Sequence, residues 1–135
     1  MAQALAVLGL VAIASAVATT RSQAQNATWN QSGTGVWNTN TNWTPNTVPT
    51  GTATFGTSSQ TDVTFAAAGS IGTLQFNSPG NGYFFNLSGG ALDLTSASGG
   101  IVDNSAATIT FSGGSIAGVG GITQNGTGTL ILSGT

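Results

Sequence analysis

Side chains able to move a proton or hold a metal ion are few in this chain of 135 residues. They are the carboxylates of Asp62, Asp93 and Asp103, the phenol of Tyr83 and the guanidinium of Arg21, with no His, Cys or Glu anywhere. The only acid/base chemistry on offer is that of a carboxylate pair. Asp93 and Asp103 stand ten residues apart; in a solenoid with a period near twenty residues this is half a turn, which places them on different sides. Asp62 and Asp103 are 41 residues apart, two such turns, and would share a face about 10 Å apart, near the span of an inverting glycosidase pair. No Glu, His or Lys is present to tune either carboxyl, so solvated turn positions are the better expectation for all three. No catalytic residue, no metal ligand set and no cofactor site is expected.

Composition excludes further classes. Charged residues are 3% of the chain, against roughly 25% in an average globular domain. Nucleic acid is not an expected partner, because displacing phosphate counterions takes Lys and Arg, and Arg21 stands alone. Thiolate and imidazole chemistry and disulfide staples lack their side chains altogether. What remains is built from 21 Gly, 22 Thr and many Ser and Asn around Val, Ile, Leu and Phe, the composition of an exported, β-rich structural or binding surface.

The stretch from Ala4 to Ala18 is apolar and Ala-rich, too short to span a bilayer comfortably, and leads into small and polar residues, the pattern of a signal peptide. Cleavage is expected between Ala18 and Ala24, with Ala24 favoured, giving a signal peptide over 1–24; no Lys or Arg precedes the apolar run. The mature product would then carry no positive side chain. Residues 25–50 form a Trp-bearing segment, expected to be a cap. From 51 to 135 the chain breaks into short alternating runs: Thr52 to Phe55, Asp62 to Phe65, Ile71 to Phe76, Tyr83 to Leu87, Ala91 to Leu94, Gly100 to Val102, Thr108 to Phe111 and Gly128 to Leu132. Gly-rich turn signals separate them, and each predicts a short strand.

Apolar anchors at Phe55, Phe76, Leu94, Phe111 and Leu132 recur in steps of 21, 18, 17 and 21 residues. That period predicts an all-β, right-handed parallel β-helix, with one anchor per rung in a single stack and Thr and Ser in outward rows. A β-sandwich is the alternative. Trp29, Trp37 and Trp43 are expected either to cap the open end of the solenoid or to offer indole faces to sugar rings. The outward Thr rows lack the regular pairing in every rung that an ice-binding face would need.

The last residues carry the most specific phrase. Gly126, Gly128, Thr129, Leu130, Leu132 and Gly134, in the run Asn-Gly-Thr-Gly-Thr-Leu-Ile-Leu-Ser-Gly, resemble the core of the autotransporter-associated β-strand repeat. Thr28-Trp29, Val36-Trp37-Asn38, Asn42-Trp43 and Ile71-Gly72-Thr73-Leu74-Gln75-Phe76 are similar to the section that precedes such repeats in large secreted bacterial proteins. The resemblance implies a passenger domain of type V secretion, reaching the membrane only through a C-terminal β-barrel that is absent from these residues. The expectation is therefore the N-terminal part of a longer product, exported to the cell surface, outer membrane or medium. Its expected role is structural and adhesive and not enzymatic, with host or environmental glycans or proteins as partners and self-association through its ends. The competing expectation is a secreted carbohydrate-binding module using Trp29, Trp37 and Trp43.

Overall fold

In the computed structural model, which describes residues 23–31, 35–59, 61–78 and 80–134, strands recur in threes. The first turn holds β1 (Ala27–Trp29) and β2 (Gly35–Val36), then a 3-10 turn at Asn40–Asn42 and β3 (Trp43–Thr44). The next turns are β4 (Thr52–Phe55), β5 (Asp62–Thr64) and β6 (Gly69–Ile71), then β7 (Thr73–Phe76), β8 (Tyr83–Asn86) and β9 (Leu92–Leu94). They are followed by β10 (Gly100–Asp103), β11 (Thr108–Ser112) and β12 (Ile116–Gly118), and finally β13 (Gly121–Gln124) and β14 (Thr129–Ser133). No α-helix occurs among the described residues. Those with numbers 1–22, which hold the apolar run expected to be a signal peptide, lie outside them.

Apart from β3, which pairs antiparallel with β1, each strand pairs in parallel with the strand three places along. Sheet A runs β13-β10-β7-β4-β1-β3, sheet B runs β14-β11-β8-β5-β2, and sheet C runs β12-β9-β6. This is a three-sided parallel β-helix, four steps long from β1 to β13, and the sandwich alternative is excluded. Because parallel strands cannot be joined by hairpins, the chain reaches each partner by going once around the other two sides.

Stacking makes every inward column a list of buried residues. In sheet A, Ala53 pairs with Leu74, Leu74 with Ile101 and Ile101 with Ile122. In sheet B, Val63 pairs with Phe85, Phe85 with Phe111 and Phe111 with Leu132. Aromatic rings therefore lie on one another: Phe85 and Phe111 stack at 4.6 Å and 18°, Phe55 and Phe76 at 5.1 Å and 21°. Phe55 meets Phe85 edge-on across the core at 5.1 Å, so the two stacks interlock in the offset and T-shaped geometries that aromatic pairs favour.

The anchors expected to form one stack belong to three sheets. Phe55 and Phe76 are partners in sheet A, Leu94 lies in sheet C beside Ile71, and Phe111 and Leu132 are partners in sheet B. The true repeat is longer and less regular: 21, 27 and 21 residues separate Ala53, Leu74, Ile101 and Ile122. A corner can take extra residues without disturbing the pairing on either side, so spacing measured across corners drifts. The run from Ile71 to Phe76, expected as one strand, bends at Gly72 into β6 and β7 on different sheets. A Cβ at Gly72 would press within 3.0 Å of the Gly51 carbonyl oxygen, so this corner packs only against bare backbone. The segment 25–50 is not separate from the solenoid either, because β1 and β2 are already rung strands, paired in parallel with β4 and β5.

One corner carries a side-chain ladder of its own. Asn104 donates to the Asn77 side-chain oxygen at 3.0 Å, and Asn125 donates to that of Asn104 at 2.9 Å. Replacing the middle member removes both bonds, so Asn104→Ala is expected to lower unfolding stability by about 1–3 kcal/mol, measured by denaturant titration. Asn125→Ala removes one bond and is expected to cost about half as much.

Candidate functional site

Four places could carry function: the tryptophan cluster, the carboxylates, the repeat phrase and the outer faces of the sheets. Trp29 reaches the core because it ends β1 on the inward side. Trp37 follows β2, and Trp43 opens β3, whose antiparallel pairing with β1 folds back over the first rung. Trp29, Trp37 and Trp43 are 3%, 0% and 0% exposed. Trp43 packs edge-on against Trp29 at 5.0 Å and against Trp37 at 4.9 Å, while Trp37 lies flat on Phe65 at 4.9 Å and 20°. This is an end cap: β3 occupies the free edge of β1, and three indoles close the apolar interior. A glycan platform at this cluster would need open indole faces, and these are turned inward.

The two indole N–H groups have different fates. Trp43 Nε1 donates to the Trp37 carbonyl at 2.9 Å, whereas Trp37 Nε1 is buried with no hydrogen-bond partner. An unmet buried donor costs free energy, about 1–3 kcal/mol. Burial of the whole indole and its packing on Phe65, Trp43 and Phe55 oppose that cost.

The carboxylates are dispersed. Asp62 is exposed on the outer face of β5 in sheet B, Asp93 is exposed on β9 in sheet C, and Asp103 is fully buried on β10 in sheet A. Asp93 and Asp103 fall on different sides, as their spacing implies. The shared face expected for Asp62 and Asp103 does not exist, because the longer rung between β7 and β10 carries Asp103 to another sheet. Asp103 also is not a solvated turn residue. It points inward in the column Phe55, Phe76, Asp103, Gln124, accepting from the Ser105 backbone N–H at 2.8 Å, the Ser105 hydroxyl at 2.6 Å and Gln124 Nε2 at 2.9 Å. These bonds replace water around the buried carboxyl group and let the chain turn toward β11. Among the described residues no group of three or more metal-ligating side chains occurs.

Tyr83 is buried on β8, and its hydroxyl donates to the Gly56 carbonyl. Burial pushes the phenol from 10.0 up to about 12, with a hydrogen bond to Ser58 opposing the rise. The neutral phenol serves the fold and is not poised to act as a base.

The repeat phrase forms the last rung. Gly126 and Gly128 stand where a Cβ would come well inside 3.0 Å of the Ser105 and Ala107 carbonyl oxygens of the rung before, and Gly134 likewise meets Gly114. Glycine is required there for backbone to approach backbone. Leu130 and Leu132 continue the inward columns of Ile109 and Phe111, and Thr129 faces outward beside Thr108. In this last described rung Ile122 is 53% exposed and Leu132 is 49% exposed. Composition and spacing did not signal that Asp103 is buried, nor did they single out the asparagine ladder or Phe84, which lies on the outer face of sheet B.

Trp43→Phe is expected to lower the melting temperature more than Trp37→Phe, although both remove one indole. The first loses a made hydrogen bond and the second an unmet donor, and the gap should correspond to about 1–3 kcal/mol. As Tyr83 is the single tyrosine, its ionisation can be followed by absorbance near 295 nm. The folded chain should titrate near 12 and the denatured chain near 10. A phenol whose folded pKa is raised contributes stability fully below pH 10 and loses it as pH rises from 10 toward 12; Tyr83→Phe should remove that decline. Comparison with protein-family models, curated proteins and solved structures finds no match to this chain.

Proposed function

We propose that this chain is a structural and adhesive segment of an exported bacterial surface protein, a non-catalytic stalk of the autotransporter passenger type. The observation that carries the reading is the unbroken stack of rungs. Cohesion comes chiefly from backbone ladders and an apolar interior, and the outer side chains form uncharged rows, some of whose members also bond to nearby backbone, as Thr64 does to the Gly35 carbonyl and Asn86 to the Ser88 N–H. Val36, Thr64, Asn86, Ser112 and Ser133 make one such row down sheet B. The repeat phrase supports the same reading, since its glycines and leucines occupy the positions that let one rung sit on another. Dispersal of the three carboxylates over three sheets favours a stalk over a hydrolase. Self-association belongs to the proposal: among the described residues β13 and β14 are terminal strands of their sheets beside exposed Ile122 and Leu132, whereas at the other end β3 covers the edge of β1 and the tryptophans fill the interior. Free apolar edges pair with other strands.

Antibody raised against the purified solenoid is expected to label intact, unpermeabilised cells of the source organism, and those cells should adhere better than a deletion strain. Labelling only after permeabilisation would overturn export, and unchanged adhesion in the deletion strain would overturn the adhesive role. Light scattering should show the purified chain above monomer mass at micromolar concentration. The pair Ile122→Lys and Leu132→Lys should return it to monomer.

A further inference from the structure

The chain has ten aromatic residues, and nine of them are buried at 3% exposure or less. The tenth, Phe84, is 41% exposed. It lies between Tyr83 and Phe85, both turned into the core, and so points out from the middle of sheet B. Pairing sets Asp62 beside it on one side and Thr110 on the other, with Ile131 one rung beyond Thr110. The neighbouring outward row is hydroxyl and amide: Thr64, Asn86 and Ser112. An open groove of about 490 Å³ runs along one flank of the ring, lined by Thr61, Asn81, Thr108 and Thr110. A second groove, of about 350 Å³, lies against Asp62, Thr64 and Asn86, and Phe84 lines both.

We propose that this face of sheet B binds a neutral polysaccharide chain, with Phe84 as its stacking residue. This exposed ring, in a strand position where the rest of the face carries Thr, Asn, Ser and Asp, stacks on no other aromatic among the described residues, and it matches the apolar C–H face of a pyranose. Thr hydroxyls and the Asn amides can both donate and accept, as sugar hydroxyls require, and the Asp62 carboxylate accepts. One aromatic surface among a few placed polar groups is the usual make-up of a small-ligand site. Grooves on both sides of the ring suit a sugar chain that passes over it, and the row from Asp62 to Ile131 spans three strand spacings, about 14 Å. Charge selects the class. No Lys, Arg or His stands among the described residues, so a uronate or sulfated chain would find no counter-charge and would face Asp62. The site rests on the adhesive reading for its biological purpose, though its chemistry can be measured on the purified chain.

Affinity electrophoresis of the purified chain through gels containing hydroxyethylcellulose, galactomannan or polygalacturonate tests the proposal. Retardation is expected in at least one neutral gel and not in polygalacturonate. Phe84→Ala should weaken it about tenfold or more, as for the loss of one aromatic contact, and Thr110→Val, which keeps the strand-forming branch, should weaken it less. The buried indoles of the cap report folding independently, and their emission should be the same in both variants. No retardation in either neutral gel, retardation indifferent to Phe84→Ala, or retardation by polygalacturonate alone overturns the site. Cells that still adhere in those cases leave the adhesive reading standing. Phe84-dependent retardation together with adhesion unchanged by deletion keeps the site and removes the adhesive reading.

Discussion

Every feature of this protein depends on the parallel backbone ladder that joins each rung to the next. Once a strand is held one hydrogen-bonding step above its partner, the side chains on its inner face have no choice of neighbour: each lies on the residue in register below it. Phe85 lies on Val63 and beneath Phe111, and Ile101 lies between Leu74 and Ile122. Inner positions must therefore be of compatible size along a whole column and either apolar or, like Asp103, hydrogen-bonded within it, while outer positions are released from that demand. Glycine enters where one turn's backbone must touch the next. At Gly100 it also supplies a φ of +109°, which residues with a Cβ rarely adopt.

A ladder of this kind has two ends, and the protein treats them differently. At the first rung β3 doubles back antiparallel to β1, taking up its free backbone groups, and three indoles fill the interior above Phe55 and Phe65. The cap tolerates a buried N–H on Trp37 without a partner, so packing has been favoured over complete hydrogen bonding. In the last described rung Ile122, Leu130 and Leu132 carry the inward columns on, with Ile122 and Leu132 exposed, and Asn125 carries on the asparagine ladder.

Separating inner from outer positions also explains how a chain almost without charge can carry a binding surface. The fold does not require Phe84, because the core is complete with Tyr83 and Phe85 on either side of it. Asp103 is the reverse case, a carboxylate drawn into an inner column and satisfied there by Ser105 and Gln124. Its placement removes it from solvent and from Asp62, so the two acids have no shared role.

Length, the scarcity of charge and the alternation of short apolar runs with Gly-rich turns determined that this chain would be all-β, and the recurring anchors favoured a β-solenoid over the β-sandwich that stayed open. A strand with one apolar face must bury it, and runs of four or five residues do so against other strands, stacked as rungs or packed as facing sheets. Strands β4, β5, β8, β9, β10, β11 and β14 were legible within a residue or two for that reason, and the tryptophans were legible as an end cap because large apolar rings in a polar, turn-rich segment need a place to go. What the sequence left open was which side of the solenoid each run would occupy. Corners of variable length carry no periodic signal, so Leu94 could not be told from a partner of Phe76. β6, β12 and β13 passed unnoticed because Gly69, Gly118 and Gly121 resemble turn residues. Only the tertiary register decided that Asp103 points inward, that Asn77, Asn104 and Asn125 touch, and that Phe84 alone among ten aromatics faces water, since each depends on residues more than twenty positions apart being brought into line.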